Sequence, residues 1–133
     1  MAQNLSITTA VDDVVSYIVS YGQLPDGVKV FAYEKTKDTD GDYIAVNHLP
    51  YQHSQFDVNE AIININIHAK DNLKGQISTT RLNELVNKVI DLFKVEKELN
   101  GNWFELSSIS NPYSDDDKTH FVNLRIQVNY SNF

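Results

Sequence analysis

Two short acidic runs contain closely spaced carboxylates, as cation-binding loops do. They are Asp38-Thr39-Asp40-Gly41-Asp42 and Asp115-Asp116-Asp117. An EF-hand loop requires D-x-[DN]-x-[DN]-G and a Glu near its twelfth position, between two helices. In the first run Gly41 stands at the fourth position, and the flanking residues have strand patterns. We therefore interpret this run as an exposed hairpin tip, with a weak cation site left open.

The second run places three carboxylates side by side. Adjacent like charges repel each other and favour solvent, so the sequence predicts a solvated loop here. Calcium binding and an electrostatic surface are the alternatives.

The chain has four histidines, His48, His53, His68 and His120. No pair shows the H-x-x-x-H or H-E-x-x-H spacing that places two imidazoles on one helix face. The spacing therefore predicts no metal site, although a site assembled from distant residues stays open.

Other catalytic and cofactor-binding motifs are absent from the sequence. There is no G-x-S-x-G elbow, no phosphate loop and no dinucleotide fingerprint, and the five glycines are isolated. The chain has no cysteine, which removes thiol catalysis, zinc–thiolate sites and iron–sulfur clusters. We predict no enzyme activity, no cofactor and no catalytic residue.

Length and charge restrict the class of protein further. A chain of 133 residues with 41% hydrophobic residues predicts a single domain, residues 1–133, with its own core. The formal net charge of -7 argues against binding to a nucleic-acid backbone, which relies on Lys and Arg. The N-terminal residues lack the pattern of a secretory signal, and no apolar run is long enough to cross a membrane. We therefore expect a protein made in the cytoplasm, with no membrane association.

Apolar residues at helical spacing predict two helices. The first covers Thr9–Tyr21, with Thr9 as its cap and Gly22 and Pro25 as its stop. Its apolar stripe is Val11, Val14, Val15, Ile18 and Val19. The second covers Ser78–Phe93, with the stripe Leu82, Leu85, Val86, Val89, Ile90 and Phe93.

Alternating residues predict five strands, Val28–Glu34, Asp42–Leu49, Ala61–Ala69, Asn102–Ser108 and His120–Tyr130. Asp40-Gly41 is expected to close a hairpin between the first two. Segment 51–59 is predicted to be irregular, and Asn111–Lys118 to be a turn-rich acidic loop. The fold class is therefore α+β, a mostly antiparallel four- to five-stranded sheet with two helices packed on one face, in the order α-β-β-β-α-β-β.

The outer sheet face is predicted to be rich in amides, and the chain is rich in aromatic residues. The amides are Asn64, Asn66, Asn123, Gln127 and Asn129, which could contact another chain or water. Ten aromatic residues exceed the needs of one small core and indicate either an interface or half-buried positions. They are Tyr17, Tyr21, Phe31, Tyr33, Tyr43, Tyr51, Phe56, Trp103, Phe104 and Tyr113.

Over roughly residues 9–130 the chain resembles the small tail-terminator proteins of long-tailed bacteriophages and prophages, also called tail-completion or head–tail joining proteins. The resemblance rests on the order of elements and on five segments: YIAVNHLP, AIININIHAKD, RLNELVNKVIDLF, GNWFEL and HFVNLRIQVNY. It includes a strand that leads through a short turn into a helix bearing R-L-x-x-L.

The resemblance implies a homo-oligomeric ring, usually a hexamer, that caps the tail tube at the head–tail junction of the virion. Its partners would be tail-tube and head-connector proteins, with DNA passing through the lumen unbound. It implies no enzyme activity and no cofactor. The loops Lys35–Gly41 and Asn111–Lys118 are the natural arms toward neighbouring rings.

Two alternatives stay open. One is a head-completion or connector-adaptor protein of the same particle. The other is a small cytoplasmic ligand-binding domain or enzyme, which predicts a concave pocket with converging polar groups and shifted pKa values.

A ring that conducts DNA should not hold phosphate, which gives the acidic residues a specific expectation. We expect some of them to face the lumen or its rim. The candidates are Asp38, Asp40, Asp42, Asp115, Asp116 and Asp117.

Overall fold

Two helices and seven strands make up the fold in a computed structural model, which describes residues 7–49 and 60–130. The helices are α1 (Ile7–Tyr21) and α2 (Thr79–Phe93). The strands are β1 (Lys29–Ala32), β2 (Tyr43–His48), β3 (Glu60–Lys70), β4 (Lys97–Leu99), β5 (Asn102–Ile109), β6 (Tyr113–Ser114) and β7 (Thr119–Tyr130). The segment predicted to be irregular, 51–59, lies outside the described residues.

One mixed sheet contains all seven strands, in the spatial order β1-β2-β3-β7-β5-β4, with β6 also paired to β7. The long strands β3 and β7 form its centre and pair antiparallel from Glu60–Asn129 to Lys70–Thr119. The β1–β2 pair is parallel. The α+β class is thus confirmed, but the predicted mostly antiparallel sheet of four to five strands is wrong, because the sheet is mixed and has seven strands. The predicted order of elements is wrong as well. The observed order is α-β-β-β-α-β-β-β-β, because β4 and β6 are strands of two or three residues, too short to show a period.

The hairpin expected at Asp40-Gly41 does not form. Tyr33 takes a positive φ of 72° directly after β1, and its backbone N–H donates to the carbonyl oxygen of Val46. The chain then returns through residues 33–42 and enters β2 beside β1 in the same direction. A hairpin forms instead at Asn100-Gly101, where both residues have positive φ and Leu99 faces Asn102. That pair of positive φ values matches the two-residue turn that suits the twist of antiparallel strands.

The apolar stripes of both helices face the same side of the sheet. The predicted stripe of α2 is confirmed at Leu82, Leu85, Val86, Val89 and Phe93. In α1 the residues Val11, Val14 and Ile18 are buried, whereas Val19, predicted on the stripe, is 63% exposed. Helix α1 already includes Thr9, so this residue is not its cap.

The core lies between the helices and one face of the sheet. It joins the helix stripes to alternate residues of the central strands, among them Ile44, Ile63, Ile65, Leu124 and Ile126, all fully buried. Phe104 adds a large ring to this cluster from β5. The other face of the sheet is therefore left for polar groups. Neither described helix has the length and apolarity needed to cross a membrane.

Candidate functional site

Four rings cross the outer face of the sheet in a row. Register pairs Tyr43 with His68 and His68 with Phe121 on the strands β2, β3 and β7. The rings of Tyr43 and His68 stack with centroids 4.2 Å apart, and those of His68 and Phe121 lie 4.8 Å apart. Tyr113 on β6 continues the row, 5.7 Å from Phe121. We call these four residues the aromatic row.

Asp117 is the centre of a set of hydrogen bonds beside the aromatic row. Its Oδ2 accepts from Lys35 Nζ at 2.8 Å and from the Tyr43 hydroxyl at 2.6 Å, and its Oδ1 accepts from the Thr119 hydroxyl. His68 Nδ1 lies 2.9 Å from Thr119 Oγ1. Since the threonine proton is directed to Asp117, His68 donates through Nδ1. We call these five residues the Asp117 cluster.

The electrostatics of the Asp117 cluster follow from its burial and its hydrogen bonds. Burial alone would raise the pKa of Asp117, but hydrogen bonds from Lys35, Thr119 and Tyr43 outweigh it and hold that pKa well below its usual range. Burial, reinforced by Asp117, raises the pKa of Tyr43 far above its usual range. Burial also lowers the pKa of His68, although Asp117 and Asp115 oppose it. These shifts therefore favour the carboxylate form of Asp117, the phenol form of Tyr43 and the neutral imidazole form of His68.

The structure also brings together a ligand set for a metal ion that sequence spacing did not reveal. Donor atoms of His68, Asp115 and Asp117 lie within 4.8 Å of one another. Both oxygens of Asp117 already accept hydrogen bonds, and the ammonium of Lys35 supplies the nearby positive charge. A cation would have to displace Lys35 from Asp117. No sequence signal pointed to this set, because His68 lies far from the acidic run along the chain and meets it only across the sheet.

Four asparagines form a connected network next to the aromatic row. Asn64 Nδ2 donates to Asn47 Oδ1 at 3.0 Å. Asn123 Nδ2 donates to Asn64 Oδ1 at 3.2 Å and to Asn66 Oδ1 at 2.8 Å. We call these residues the amide network. The network contains three of the amides predicted on this face.

The amide network forms part of the lining of a groove of about 470 Å³, which we call the amide groove. Its other walls come from β5, β6 and β7, and include Ser108, Ile109, Tyr113, Phe121 and Arg125. A register shift between Leu106 and Ser108 places Ser108 opposite Arg125. Such a bulge adds one residue to a strand and changes which side chains share a face. The bulge therefore brings Ser108 to the same face as Arg125.

The remaining acidic candidates are dispersed. Asp42 accepts from Arg81 Nε at 2.7 Å and from the backbone N–H of Lys70, and Asp40 pairs with Lys70 Nζ at 3.1 Å. Asp38 is exposed, and a hydrogen bond with Thr36 lowers its pKa. Asp116 is exposed as well. The two acidic runs therefore form no common site among the described residues, and only Asp115 and Asp117 reach the outer sheet face.

The aromatic residues divide between core and surface. Phe104 and Tyr43 are buried, whereas Tyr21, Tyr33, Trp103 and Tyr113 are exposed.

The histidines outside the aromatic row have partners of their own. His48 forms a hydrogen bond with the Leu49 carbonyl oxygen, and His120 forms one with Asp71 at 2.6 Å. Three residues considered in the sequence, His53, Tyr51 and Phe56, lie outside the described part of the chain.

Comparison with known proteins finds a similar fold in another protein but gives no information about function. No protein-family model and no curated protein matches the chain. A solved protein structure has a similar fold, with a TM-score of 0.57 at 14% sequence identity. The match covers 100% of this chain and 98% of that one. The arrangement of two helices on one curled sheet thus recurs as a complete chain in another protein.

Proposed function

We propose that the chain is a structural subunit of a phage or prophage particle, a tail terminator that assembles into a ring at the head–tail junction. The order of elements and the segments quoted above resemble that family. The observation that carries the proposal is an open sheet edge beside an apolar surface, which a neighbouring subunit can cover.

The open edge that adjoins this apolar surface is strand β1. Among the described residues it pairs only with β2, so one side of its backbone is left to other partners. Next to it lies a groove of about 550 Å³ between the end of α1 and the edge strand. Val19, Leu24, Val28, Val30 and Phe31 line it. Unpaired strand edges beside exposed apolar side chains are typical of surfaces that meet another chain.

The ion pairs reduce the number of acidic residues that we expect to face the lumen of the ring. Asp40, Asp42 and Asp117 are tied to Lys70, Arg81 and Lys35. Asp38 and Asp116 form no ion pair with any described residue, and Asp115 pairs with His68 only when that imidazole is protonated. In the proposed ring, these three carboxylates are the ones that would repel DNA phosphates from the channel.

The test is binding to assembled tail tubes and to portal complexes encoded by neighbouring genes. We expect co-sedimentation with the tubes, and loss of it in Val19→Glu. Val95→Glu is the matched control, because Val95 is also 63% exposed and does not line the groove between α1 and β1. Binding to the portal alone would favour the head-completion or adaptor alternative. Binding to neither partner, or a gene neighbourhood without portal, tail-tube or tape-measure genes, contradicts both.

The amide groove favours a second candidate function, that of a small ligand-binding domain. That alternative predicts a concave pocket with converging polar groups and perturbed pKa values, and the groove adjoins the Asp117 cluster through Phe121. Its test is whether a small ligand shifts the side-chain amide resonances of Asn66 and Asn123 in ¹⁵N NMR spectra. Resonances that stay unchanged across a chemically diverse ligand set contradict it.

A further inference from the structure

The two arginines of the chain have opposite surroundings. Arg81 donates to Asp42 through Nε and to Glu84 through Nη1, and these bonds raise its pKa. Arg125 is exposed, lines the amide groove and forms no ion pair with a described residue. The chain contains 18 Asp and Glu residues, so an arginine without an acidic partner stands out.

The amide network leaves hydrogen-bond donors in excess along the same groove. Asn47 and Asn66 each accept a bond through Oδ1, and their NH₂ groups donate to no described residue. Asn64 and Asn123 direct their amide protons to the other members of the network. The groove therefore combines a guanidinium without an ionic partner and two amide NH₂ groups without an acceptor among the described residues.

An apolar wall stands beside these donors. Tyr113 is 53% exposed and Ile109 is 50% exposed, and both line the groove together with Phe121. Exposed rings and aliphatic side chains next to a few polar groups are typical of small-ligand sites.

We propose that the amide groove binds a carboxylate that bears an apolar or aromatic substituent. Arg125 pairs with the carboxylate, the NH₂ groups of Asn47 and Asn66 complete its hydrogen bonds, and the substituent lies against Tyr113 and Ile109. Guanidinium and carboxylate match in a planar, two-bond geometry. A single guanidinium neutralises one charge, and Asp115 lies 3.8 Å from His68, whose ring stacks on Phe121 of the groove, so a monoanion suits this site better than a phosphate dianion.

This inference names the ligand chemistry of the second candidate function and does not depend on ring assembly. The carboxylate could belong to a free metabolite or to an acidic side chain in a peptide. Both sources present the same group to Arg125, so the experiment includes a probe for each.

The experiment is a ¹H–¹⁵N NMR titration of the full chain with phenylacetate, with the neutral isostere phenylacetamide, and with a capped peptide Gly-Glu-Tyr-Gly. We expect saturable shifts at Asn66 and Asn123 with phenylacetate, at a Kd of about a few millimolar for a ligand of this size. Phenylacetamide should bind at least about tenfold more weakly, because it cannot form the charge-assisted pair. Tighter binding of the peptide than of phenylacetate assigns the site to a protein partner, and the reverse assigns it to a small molecule.

Three variants keep the test specific. Arg125→Met retains the aliphatic stem and should weaken phenylacetate binding about tenfold, whereas Arg125→Lys should retain part of the affinity. Lys74→Met removes an exposed charge that lines no part of the groove and should leave binding unchanged.

Three results would overturn the proposal. They are shifts that do not saturate, equal binding of phenylacetate and phenylacetamide, and equal losses in Arg125→Met and Lys74→Met. Binding of neutral ligands alone would leave a ligand-binding domain but remove its carboxylate specificity.

Discussion

The ammonium of Lys35 lies 2.8 Å from Oδ2 of Asp117 and joins two loops whose residues are 82 positions apart in the chain. Tyr43 donates to the same oxygen from strand β2. The loops that contain Lys35 and Asp117, which the resemblance implies as arms toward neighbouring rings, are thus bonded to each other and to the sheet. Any partner that uses these loops meets one continuous surface.

Removing the charge of Asp117 should destabilise the fold. Asp117→Asn loses the ion pair with Lys35 and one of the two acceptor oxygens, in a side chain that is only 18% exposed. Hydrogen bonds to charged groups contribute more than neutral ones, so we expect the free energy of unfolding to fall by about 2 kcal/mol. Urea denaturation measures it. Asp116→Asn, one residue away and exposed, should change it by less than about 0.5 kcal/mol; equal effects of the two variants would remove the special role of Asp117.

Tyr43 should remain protonated in alkaline solution for as long as the protein stays folded. Burial and Asp117 both raise its pKa, because they disfavour a second negative charge at this place. In a spectrophotometric titration of the seven tyrosines, Tyr43→Phe should give the same tyrosinate absorbance as the wild type before alkaline unfolding. A loss of absorbance equal to one tyrosinate in Tyr43→Phe, below the onset of alkaline unfolding, would contradict the prediction.

His68 should make the protein less stable in mild acid. Its pKa is lowered in the fold by burial, against the opposing charges of Asp117 and Asp115, while Lys35 acts in the same direction as burial. The unfolded chain takes up this proton near pH 6.5, whereas the folded chain does so only at lower pH, so stability is lost as the pH falls below about 6.5.

The measurement for His68 is the free energy of unfolding from pH 7.5 to pH 5 in wild type and His68→Gln. The wild-type curve should fall more steeply in acid, by at most about 1.4 kcal/mol per pH unit for one proton. The comparison uses slopes because the substitution also removes the stacking with Tyr43 and Phe121. Parallel curves would show that His68 does not carry the proton uptake.

Gly101 should be needed for the hairpin between β4 and β5. Its φ of 85° lies in the left-handed region, where a Cβ is disfavoured. We expect Gly101→Ala to lower the free energy of unfolding by about 1 kcal/mol in urea. Glu98→Ala, at the exposed residue of edge strand β4, serves as the control and should have an effect within about 0.5 kcal/mol. Equal losses would show that the turn conformation is not what limits stability here.

Turn signals show why reasoning from the sequence missed the direction of β2 and the hairpin between β4 and β5. Both Asp40-Gly41 and Asn100-Gly101 are hairpin dipeptides, yet only the second closes a hairpin. The first sits in a loop of ten residues, long enough for β2 to pair with β1 in the parallel direction. A dipeptide favours a local turn, but the direction of the next strand depends on the neighbour it meets.

The sequence predicted which face some residues of the site occupy, but not the contacts between those residues. Alternation placed Asn64, Asn66 and Asn123 on the outer face, and the structure confirms this arrangement. Nothing in the spacing connected Lys35 with Asp117, or His68 with Thr119, because these pairs meet only after β2, β3 and β7 have paired. The same holds for Arg125, whose groove depends on the bulge before Ser108.

By itself the sequence determined the α+β class, the buried stripe of α2 and the faces of the long strands β3 and β7. Those features depend on the period of apolar residues, which is a local property that burial enforces residue by residue. Tertiary structure alone decided the direction of β1 against β2, the Lys35–Asp117 ion pair and the amide groove. These features depend on strand register and on contacts between distant residues, where one shift of pairing would exchange one face of a strand for the other.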